Sequence, residues 1–251
     1  MAYDGTDFHG WQKQASLNGD NLRTAQEVLE LTIRDVTRQP IRLHGASRTD
    51  AGVHANGQVA VFDADSKIEP HRMLCAINSK LPRDIRIVHA DMVPFEFNPI
   101  ADCVSKGYRY RLAHGCKDPR RQPLFDRHVV ATTAYELDLS SMQEASALLV
   151  GEHDFAAFTK LNHGRESTIR RIDACTVQEI ARWRIAIDVS GSGFLWNMVR
   201  IIAGTLVDVG RGKTAASSIP QVIASKDRQQ TGMTMPPEGL SLEWVKYPEN
   251  Q

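Results

Sequence analysis

The sequence predicts an α+β fold whose sheet is mainly antiparallel. Two observations carry this prediction. Apolar residues recur at helical spacing in several stretches, and between them lie shorter stretches with the alternation typical of strands. These elements do not follow the regular strand–helix–strand order that indicates a parallel sheet. The 251 residues suffice for one large domain or two smaller ones, and we place a boundary near 100–107, giving domains 1–104 and 105–251.

The first half of the chain is predicted to contain two helices and four strands. Leu22–Arg38 has apolar residues at helical spacing, can be capped by Asp20 or Asn21, and is followed by Pro40. The second helix is predicted over 69–80. Strand-like stretches are predicted at 41–43, 58–63, 84–93 and 101–113.

The second half is predicted to contain more helix and one long hairpin. The helices are predicted at 140–150, 194–210 and 215–225, and Ser140 or Ser141 can cap the first of them. The hairpin is predicted to pair 169–179 with 182–190. Further strands are predicted at 128–131 and 240–247.

Composition and charge indicate an ordinary globular protein and exclude some classes of function. A hydrophobic content of 42% and a charged content of 24% are those of an ordinary globular protein. Thirty basic and thirty acidic residues exclude a uniformly basic nucleic-acid binder, although charge can be segregated onto one face. No apolar run approaches the roughly 20 residues that span a bilayer, and no signal peptide is evident. Four scattered cysteines are typical of reduced thiols, so we expect a cytoplasmic protein without a membrane segment or a metal site.

The stretch "LHGASRTDAGVHANGQVAVF", residues 43–62, places charged residues among small ones. The glycines and alanines around Arg48 and Asp50 supply no bulk for a core, and they indicate a sharp turn or a close approach to something large. Asp50 is therefore either a turn former, which Asp favours for local hydrogen-bonding reasons, or a working carboxylate.

Two strings are locally basic, residues 106–128 and 164–171. Each could be an ordinary solvated surface. The first string interleaves Tyr108 and Tyr110 with Arg109 and Arg111, and the two tyrosines would share one face of a strand. Basic residues with aromatic residues between them are typical of a nucleic-acid face. A strand tyrosine that packs on a neighbour is the alternative for Tyr108.

Arg200 stands within an apolar helix predicted to be buried. A guanidinium keeps its proton, so a buried one needs an acceptor. Arg200 either forms a structural ion pair or holds a carboxylate that must stay ionised, and Asp50 is the best candidate for that carboxylate.

Six segments appear in the order expected of one family. They are "AYDGTDFHGWQ", "SRTDAGVHA", "GYRYRL", "GEHDFAAF", "FLWNMVRIIAGTLVDVGRGK" and "PPEGLSLEWVKY". Together they resemble the TruA family of tRNA pseudouridine synthases nearly from end to end. Each segment alone is weak evidence, whereas "RTDAGVHA" together with "NMVR" at this spacing is specific.

The resemblance implies a fold, an activity and partners. The fold would be the pseudouridine synthase fold, with two α/β domains and a positively charged cleft between them. The enzyme would convert uridine to pseudouridine at positions 38, 39 and 40 in the anticodon stem-loop of tRNA. It would flip the base out and use no metal or organic cofactor. A homodimer would bind one tRNA with both subunits.

The resemblance also assigns roles to residues. Asp50 would be the essential nucleophile or general base, Arg200 its ion-pair partner, and Tyr108 the residue that stacks on uracil and could accept a proton. Arg48 matches the arginine of the family's catalytic loop. The predicted substrate-binding residues are Arg48, Tyr108, His54, Arg109 and Arg170.

Three competing hypotheses come from other classes. A non-catalytic RNA-binding or RNA-chaperone protein would need the basic strings but not Asp50 together with Arg200. A uracil glycosylase would also act on a flipped base, but it would leave an abasic site. A purely structural role for the Asp50 loop is the third.

Overall fold

The computed structural model describes residues 1–14, 22–160 and 166–248. The chain forms two compact units, residues 1–104 with 242–251, and residues 105–241. Whether the chain behaves as two independent domains, 1–104 and 105–251, stays a prediction.

Among its described residues, the first unit contains two helices and five very short strands, besides the end of a strand described below. The helices are α1 (Ala25–Thr37) and α2 (Pro70–Asn78). The strands are β1 (Ala2–Tyr3), β2 (His44–Gly45), β3 (His54–Ala55), β4 (Ala60–Val61) and β5 (Ile85–Arg86). β1 pairs antiparallel with both β3 and β5, and β2 pairs antiparallel with β4.

Helix α1 begins and ends at well-defined caps. The Thr24 hydroxyl accepts a hydrogen bond from the backbone N–H of Glu27 at 3.3 Å, which satisfies one of the free donors of the first turn. At the other end Arg38 adopts the left-handed conformation, with a φ of 59°, and its N–H donates to the carbonyl of Arg34. The predicted caps Asp20 and Asn21 lie outside the described residues.

In the part of the second unit that the structure describes, there are three helices and a larger sheet. The helices are α3 (Leu139–Ala147), α4 (Met198–Gly210) and α5 (Ile219–Ser225). Its strands are β6 (Ser105–Ala113), β7 (Ala131–Thr132), β8 (Gly151–Asp154), β9 (Ile169–Ala181) and β10 (Arg184–Gly191). The strand order is β6-β10-β9-β8, all antiparallel, and β7 joins β6 in parallel. A final strand, β11 (Leu240–Lys246), starts in this unit and ends in the first.

The predicted fold class is confirmed, because helices and strands are mixed and the sheet is mainly antiparallel. The predicted hairpin is also confirmed as β9 and β10. Its turn places Trp183 at a φ of 61°, a conformation that is uncommon for a bulky side chain. Two guanidinium groups lie over the indole ring, with the central carbon of Arg121 4.7 Å and that of Arg182 4.3 Å from the ring centroid. These two cation–π contacts help to hold the strained turn.

Several predicted boundaries were wrong. The stretch 84–93 forms a strand only over β5, and the strand predicted at 41–43 lies at β2 instead. Helix α3 is capped by the carboxylate of Asp138, which accepts from the N–H of Ser140 at 3.0 Å, and not by Ser140 or Ser141. Asp138 precedes the first helical residue, so its carboxylate can accept from the free N–H groups of the first turn. Ser140 and Ser141 already lie within that turn.

Three further observations concern the whole described chain. Within residues 1–14, 22–160 and 166–248, no helix has the length and apolar character to cross a membrane. The same residues contain no group of three or more His, Cys, Asp or Glu side chains arranged to hold a metal ion. All four cysteines are free thiols.

Candidate active site

The loop that carries Asp50 has no regular secondary structure, and the start of the chain holds it in place. The N–H of Trp11 donates to the carbonyl of Thr49 at 3.0 Å, and the N–H of Gly52 donates to the carbonyl of Phe8 at 3.2 Å. The N–H of Val53 closes a turn onto the carbonyl of Asp50 at 3.1 Å. Backbone hydrogen bonds therefore fix the chain on both sides of Asp50. Asp50 itself is half-buried.

Buried aromatic side chains lie beneath this loop. The hydroxyl of Tyr3 is 2.8 Å from the hydroxyl of Thr49, and both residues are buried. The Tyr3 ring contacts Phe8 edge-on at 5.9 Å and stacks near Trp11 at 6.2 Å. The segment "AYDGTDFHGWQ" thus supplies the apolar base on which the Asp50 loop rests.

Glycine is required where this segment meets the loop. Gly10 has a φ of 89°, and a Cβ atom built there would lie 2.6 Å from the carbonyl oxygen of Thr49. A Cβ at Gly45 would lie 2.4 Å from the indole of Trp11. The small residues around Asp50 are therefore explained by close packing of the loop against the start of the chain.

Gln58, which lies two residues before β4, contacts the beginning of the loop. Its side chain is fully buried. The amide nitrogen donates to the carbonyl of Ser47 at 2.6 Å, and the amide oxygen accepts from the N–H of Ser47 at 3.2 Å. This two-way contact replaces the ladder hydrogen bonds that a regular strand would supply.

The two other predicted site residues of the first unit differ in exposure. Arg48 is exposed, and within the described ranges its side chain has no hydrogen bond or ion pair. His54 is buried; its Nδ1 accepts from the N–H of Gly5 at 2.9 Å and lies 3.2 Å from a carboxylate oxygen of Asp4. The substrate-binding roles of Arg48 and His54 stay predictions.

In the second unit, β6 places Tyr108 and Tyr110 on its buried face and Arg109 and Arg111 on the other, as predicted. The Tyr108 ring meets the ring of Phe194 edge-on, with centroids 5.2 Å apart. The Tyr110 hydroxyl donates to the carbonyl of Pro236 at 2.8 Å, and burial raises the pKa of this phenol. Tyr110 is therefore locked in the core, whereas Tyr108 lies at the edge of it.

The predicted substrate-binding arginines of the second unit have protein partners. Arg109 forms a two-pronged ion pair with Asp188, its cross-strand neighbour, at 2.7 and 3.0 Å. Arg170 donates to the carbonyls of Ser167 and Ile169. Their contacts with substrate stay predictions.

The two basic strings carry acidic partners. In the first, Arg120 pairs with Asp118 and Arg121 pairs with Glu136. Residues 164–165 of the second string lie outside the described ranges. Part of the positive charge in the first string is therefore neutralised by local ion pairs.

The prediction of a buried helix is confirmed, but the helix begins later than predicted, so that Arg200 is its third residue and is half-buried. The helix begins at Met198 because Asn197 adopts the left-handed conformation, with a φ of 61°. The other residues of α4 are all buried.

Two side-chain hydrogen bonds orient the guanidinium of Arg200. Its Nε donates to the carbonyl of Met235 at 2.7 Å, and its Nη1 donates to the side-chain oxygen of Asn197 at 2.8 Å. The N–H of Met235 returns a hydrogen bond to the carbonyl of Arg200 at 3.2 Å. The segment before β11 therefore fixes both the backbone and the side chain of Arg200.

That segment approaches α4 through two glycines. A Cβ on Gly204 would lie 1.9 Å from the carbonyl oxygen of Met233, and a Cβ on Gly232 would lie 2.2 Å from the carbonyl carbon of Gly204. The N–H of Gly232 also donates to the hydroxyl of Thr205 at 3.0 Å. The backbone of α4 at Gly204 is therefore in direct contact with the backbone at 232–233, one helical turn after Arg200.

Two other carboxylates of the second unit are held in local ion pairs. Asp154 lies 2.7 Å from Lys226, and hydrogen bonds from Lys226 and Thr168 lower the pKa of its carboxyl. Asp208 contacts Arg211 and Lys213, each at 2.8 Å. These partners give both carboxylates a structural role.

Sequence reasoning gave no role to Trp196, although the residue lies inside the segment "FLWNMVR". Its side chain is 49% exposed, and the ammonium of Lys160 lies 4.8 Å from the ring centroid. The hydroxyl of Thr159 donates to the carbonyl of Trp196 at 3.1 Å. An indole among aliphatic residues at the start of the helix predicted over 194–210 was the available signal.

Comparison with known proteins identifies similar chains. A family model described as tRNA pseudouridine synthase matches residues 1–99 and 145–248. A protein of Geobacter sp. (strain M21) named tRNA pseudouridine synthase A is 43% identical over 250 residues, which cover 99% of this chain and 97% of the relative.

Two further relatives agree over similar lengths. A protein of the same name from Citrifermentans bemidjiense is 44% identical over 251 residues, covering 99% of this chain and 96% of its own. One from Clostridium tetani, named tRNA pseudouridine synthase A 2, is 40% identical over 250 residues, covering 98% and 96%. The agreement therefore spans both units.

Proposed function

The chain belongs to the tRNA pseudouridine synthase family, isomerases that act on uridine in tRNA, and we propose that it modifies uridines 38, 39 and 40 of the anticodon stem-loop. The observation that carries the proposal is the half-buried carboxylate of Asp50 on a loop fixed by backbone hydrogen bonds from both sides. Such a loop holds one reactive group in a constant position.

The reaction rearranges bonds within one nucleotide. The bond between N1 and C1′ breaks, the uracil turns, and C5 forms a new bond to C1′. C5 then loses its proton, and N1 gains one, so that no oxidant, reductant or water is consumed. The uridine must leave its base stack first, at a cost of a few kcal/mol.

Asp50 is the proposed catalytic residue. Its carboxylate either attacks C1′ or removes a proton from C2′, and both steps require the ionised form. Asp154 and Asp208 are not the proposed catalytic carboxylates, because neither lies in the segment "SRTDAGVHA" and each is engaged in a local ion pair of the second unit. The side chain of Arg48 is exposed and has no ion pair among the described residues. Its guanidinium is the proposed occupant of the space that the flipped base leaves, or a contact to phosphate.

Arg200 and Tyr108 have proposed supporting roles. Arg200 keeps Asp50 ionised as its ion-pair partner, and its own orientation by Met235 and Asn197 supports this role. Tyr108 stacks on the uracil and takes part in loss of the C5 proton; its edge-on contact with Phe194 supports a fixed ring plane.

The finer proposals on partners rest on the family resemblance. His54, Arg109 and Arg170 contact the RNA in addition to Arg48 and Tyr108. The protein acts in the cytoplasm as a homodimer, and one tRNA touches both subunits. Sedimentation of the purified protein with and without tRNA tests the dimer.

The deciding experiment uses tRNA with tritium at C5 of uridine. We expect tritium release to water from transcripts that carry uridine at 38, 39 or 40, and no release when all three are replaced by cytidine. Release requires loss of the C5 hydrogen. An RNA-binding protein would release none, and a uracil glycosylase would yield free uracil and an abasic site instead.

A further inference from the structure

The segment 194–200 presents three different side chains. Phe194 contacts the ring of Tyr108 edge-on, and Arg200 donates to Asn197 and Met235. Trp196 lies between them in sequence, and its side chain is exposed to 49%. The proposed site accounts for the first two residues but not for Trp196.

Trp196 is held in place although it is exposed. The buried Thr159 donates its hydroxyl hydrogen to the carbonyl of Trp196 at 3.1 Å. The next residue, Lys160, places its ammonium 4.8 Å from the centroid of the indole. Two chain segments therefore cooperate to present one aromatic ring with a cation beside it.

This combination suits a nucleotide. Every base has a flat face that stacks on an aromatic ring, and a lysine next to that ring can contact the phosphate that follows the base. Flipping one base out of a stem also leaves its neighbours without a stacking partner. An exposed indole can replace that partner, in which case Arg48 makes the contact to phosphate that is the second role proposed for it.

We propose that Trp196 and Lys160 form a subsite for one nucleotide of the RNA substrate, next to the nucleotide that stacks on Tyr108. The indole stacks on the base and the ammonium contacts the phosphate. The location follows from Phe194, which stands two residues before Trp196 and contacts Tyr108. This inference rests on the proposed function, because it names a second contact with the same substrate.

The subsite is tested with an anticodon-arm transcript and four variants. Trp196→Ala should raise KM and Kd about tenfold while kcat stays within about threefold, since stacking holds the neighbour and not the reacting base. Trp196→Phe should restore most of the affinity. Lys160→Gln should make the slope of log K against log salt shallower by about 0.7, the value for one phosphate on a single strand.

Trp244 provides the matched control, because it is 41% exposed and no cation–π contact to it is found among the described residues. Binding of the transcript should quench tryptophan fluorescence in the unaltered protein and in Trp244→Phe, but much less in Trp196→Phe. Quenching that survives Trp196→Phe would overturn the subsite. A fall in kcat at constant KM, or failure of Trp196→Phe to restore affinity, would show a structural role for the indole.

These outcomes are separate from the test of the proposed function. If the unaltered protein releases no tritium from any tRNA, the isomerase proposal fails, whereas the fluorescence and the salt slope still report whether Trp196 and Lys160 bind RNA.

Discussion

Asp50 and Arg200 are both half-buried, yet the structure fixes them by different means. Asp50 sits on an irregular loop whose backbone is tied to Phe8 and Trp11. Arg200 sits in a regular helix, and its side chain donates to Met235 and Asn197. The position of Asp50 therefore depends on the backbone conformation of its loop. The position of the Arg200 guanidinium depends on the hydrogen bonds that it donates.

This difference predicts which substitutions damage each region. Around Asp50, adding a single methyl group to a neighbouring glycine should be harmful. At Arg200, changing the shape of the cation should be harmful even when the charge is kept. The following predictions test the comparison in order of expected effect.

The largest effect is expected for Asp50→Asn. The variant keeps the shape of the side chain and removes the proposed nucleophile or base, so tritium release should fall by about 10³-fold or more. The affinity for tRNA should stay within about tenfold, which is about 1.4 kcal/mol. The exposed Asp65, replaced by Asn, is the control and should keep full activity. Activity of Asp50→Asn above a few per cent would assign the chemistry to another carboxylate.

Arg200→Lys should lower kcat by about 10²-fold although the charge is retained. A lysine has one ammonium on a flexible stem and cannot donate to Met235 and Asn197 while a third direction serves a carboxylate. Single-turnover rates measure the loss directly.

The proposed ion pair predicts non-additivity for Arg200→Met and Asp50→Asn. The double variant should be at least as stable to urea as Arg200→Met alone, because it removes a carboxylate that lacks its partner. Strictly additive changes in the free energy of unfolding would show that the two side chains do not interact.

Gly10→Ala should destabilise the protein by about 2 kcal/mol and lower its activity about tenfold. The new methyl group meets the carbonyl of Thr49 at 2.6 Å, and the φ of 89° disfavours any side chain. Gly193→Ala is the matched control, because a Cβ there meets no atom within 4 Å. Equal unfolding temperatures for the two variants would contradict the role given to backbone contact.

The smallest effect is expected for Tyr3→Phe. Loss of its hydroxyl leaves the buried hydroxyl of Thr49 without that contact, and we expect about 1 kcal/mol of destabilisation with a modest fall in kcat. The pair Tyr3→Phe with Thr49→Val should recover part of the stability, since both polar groups are then removed. An additive loss in urea titrations would argue against the contact.

The sequence predicted long, periodic elements well and short ones poorly. Hairpin β9–β10 and helices α1 and α4 extend over enough residues for a period to be recognised. The two-residue strands β1, β3 and β5 have no period of their own, because their pairing depends on tertiary contacts. The start of α4 was predicted too early. The apolar pattern begins at Phe194, but Asn197 adopts the left-handed conformation, and the helix can only begin after it.

The candidate site followed the same rule. Asp50, Arg200 and Tyr108 could be named from motifs, but the contacts that hold them could not. The partners of Arg200 are a backbone carbonyl at Met235, 35 residues away, and an Asn side chain. Hydrophobic patterns carry no information on either. Trp196 was missed because a pattern treats it as one more apolar residue.

The glycine contact between α4 and the segment before β11 limits how this region can evolve. Most core positions of a helix tolerate exchange among apolar residues of similar volume. At Gly204 there is no volume to exchange, because the carbonyl of Met233 occupies the place of a side chain. Any residue larger than glycine would displace the segment before β11. Because Met235 in that segment accepts a hydrogen bond from Arg200, the guanidinium would move as well. Position 204 is therefore constrained by an arginine one helical turn away, although it carries no chemical group of its own.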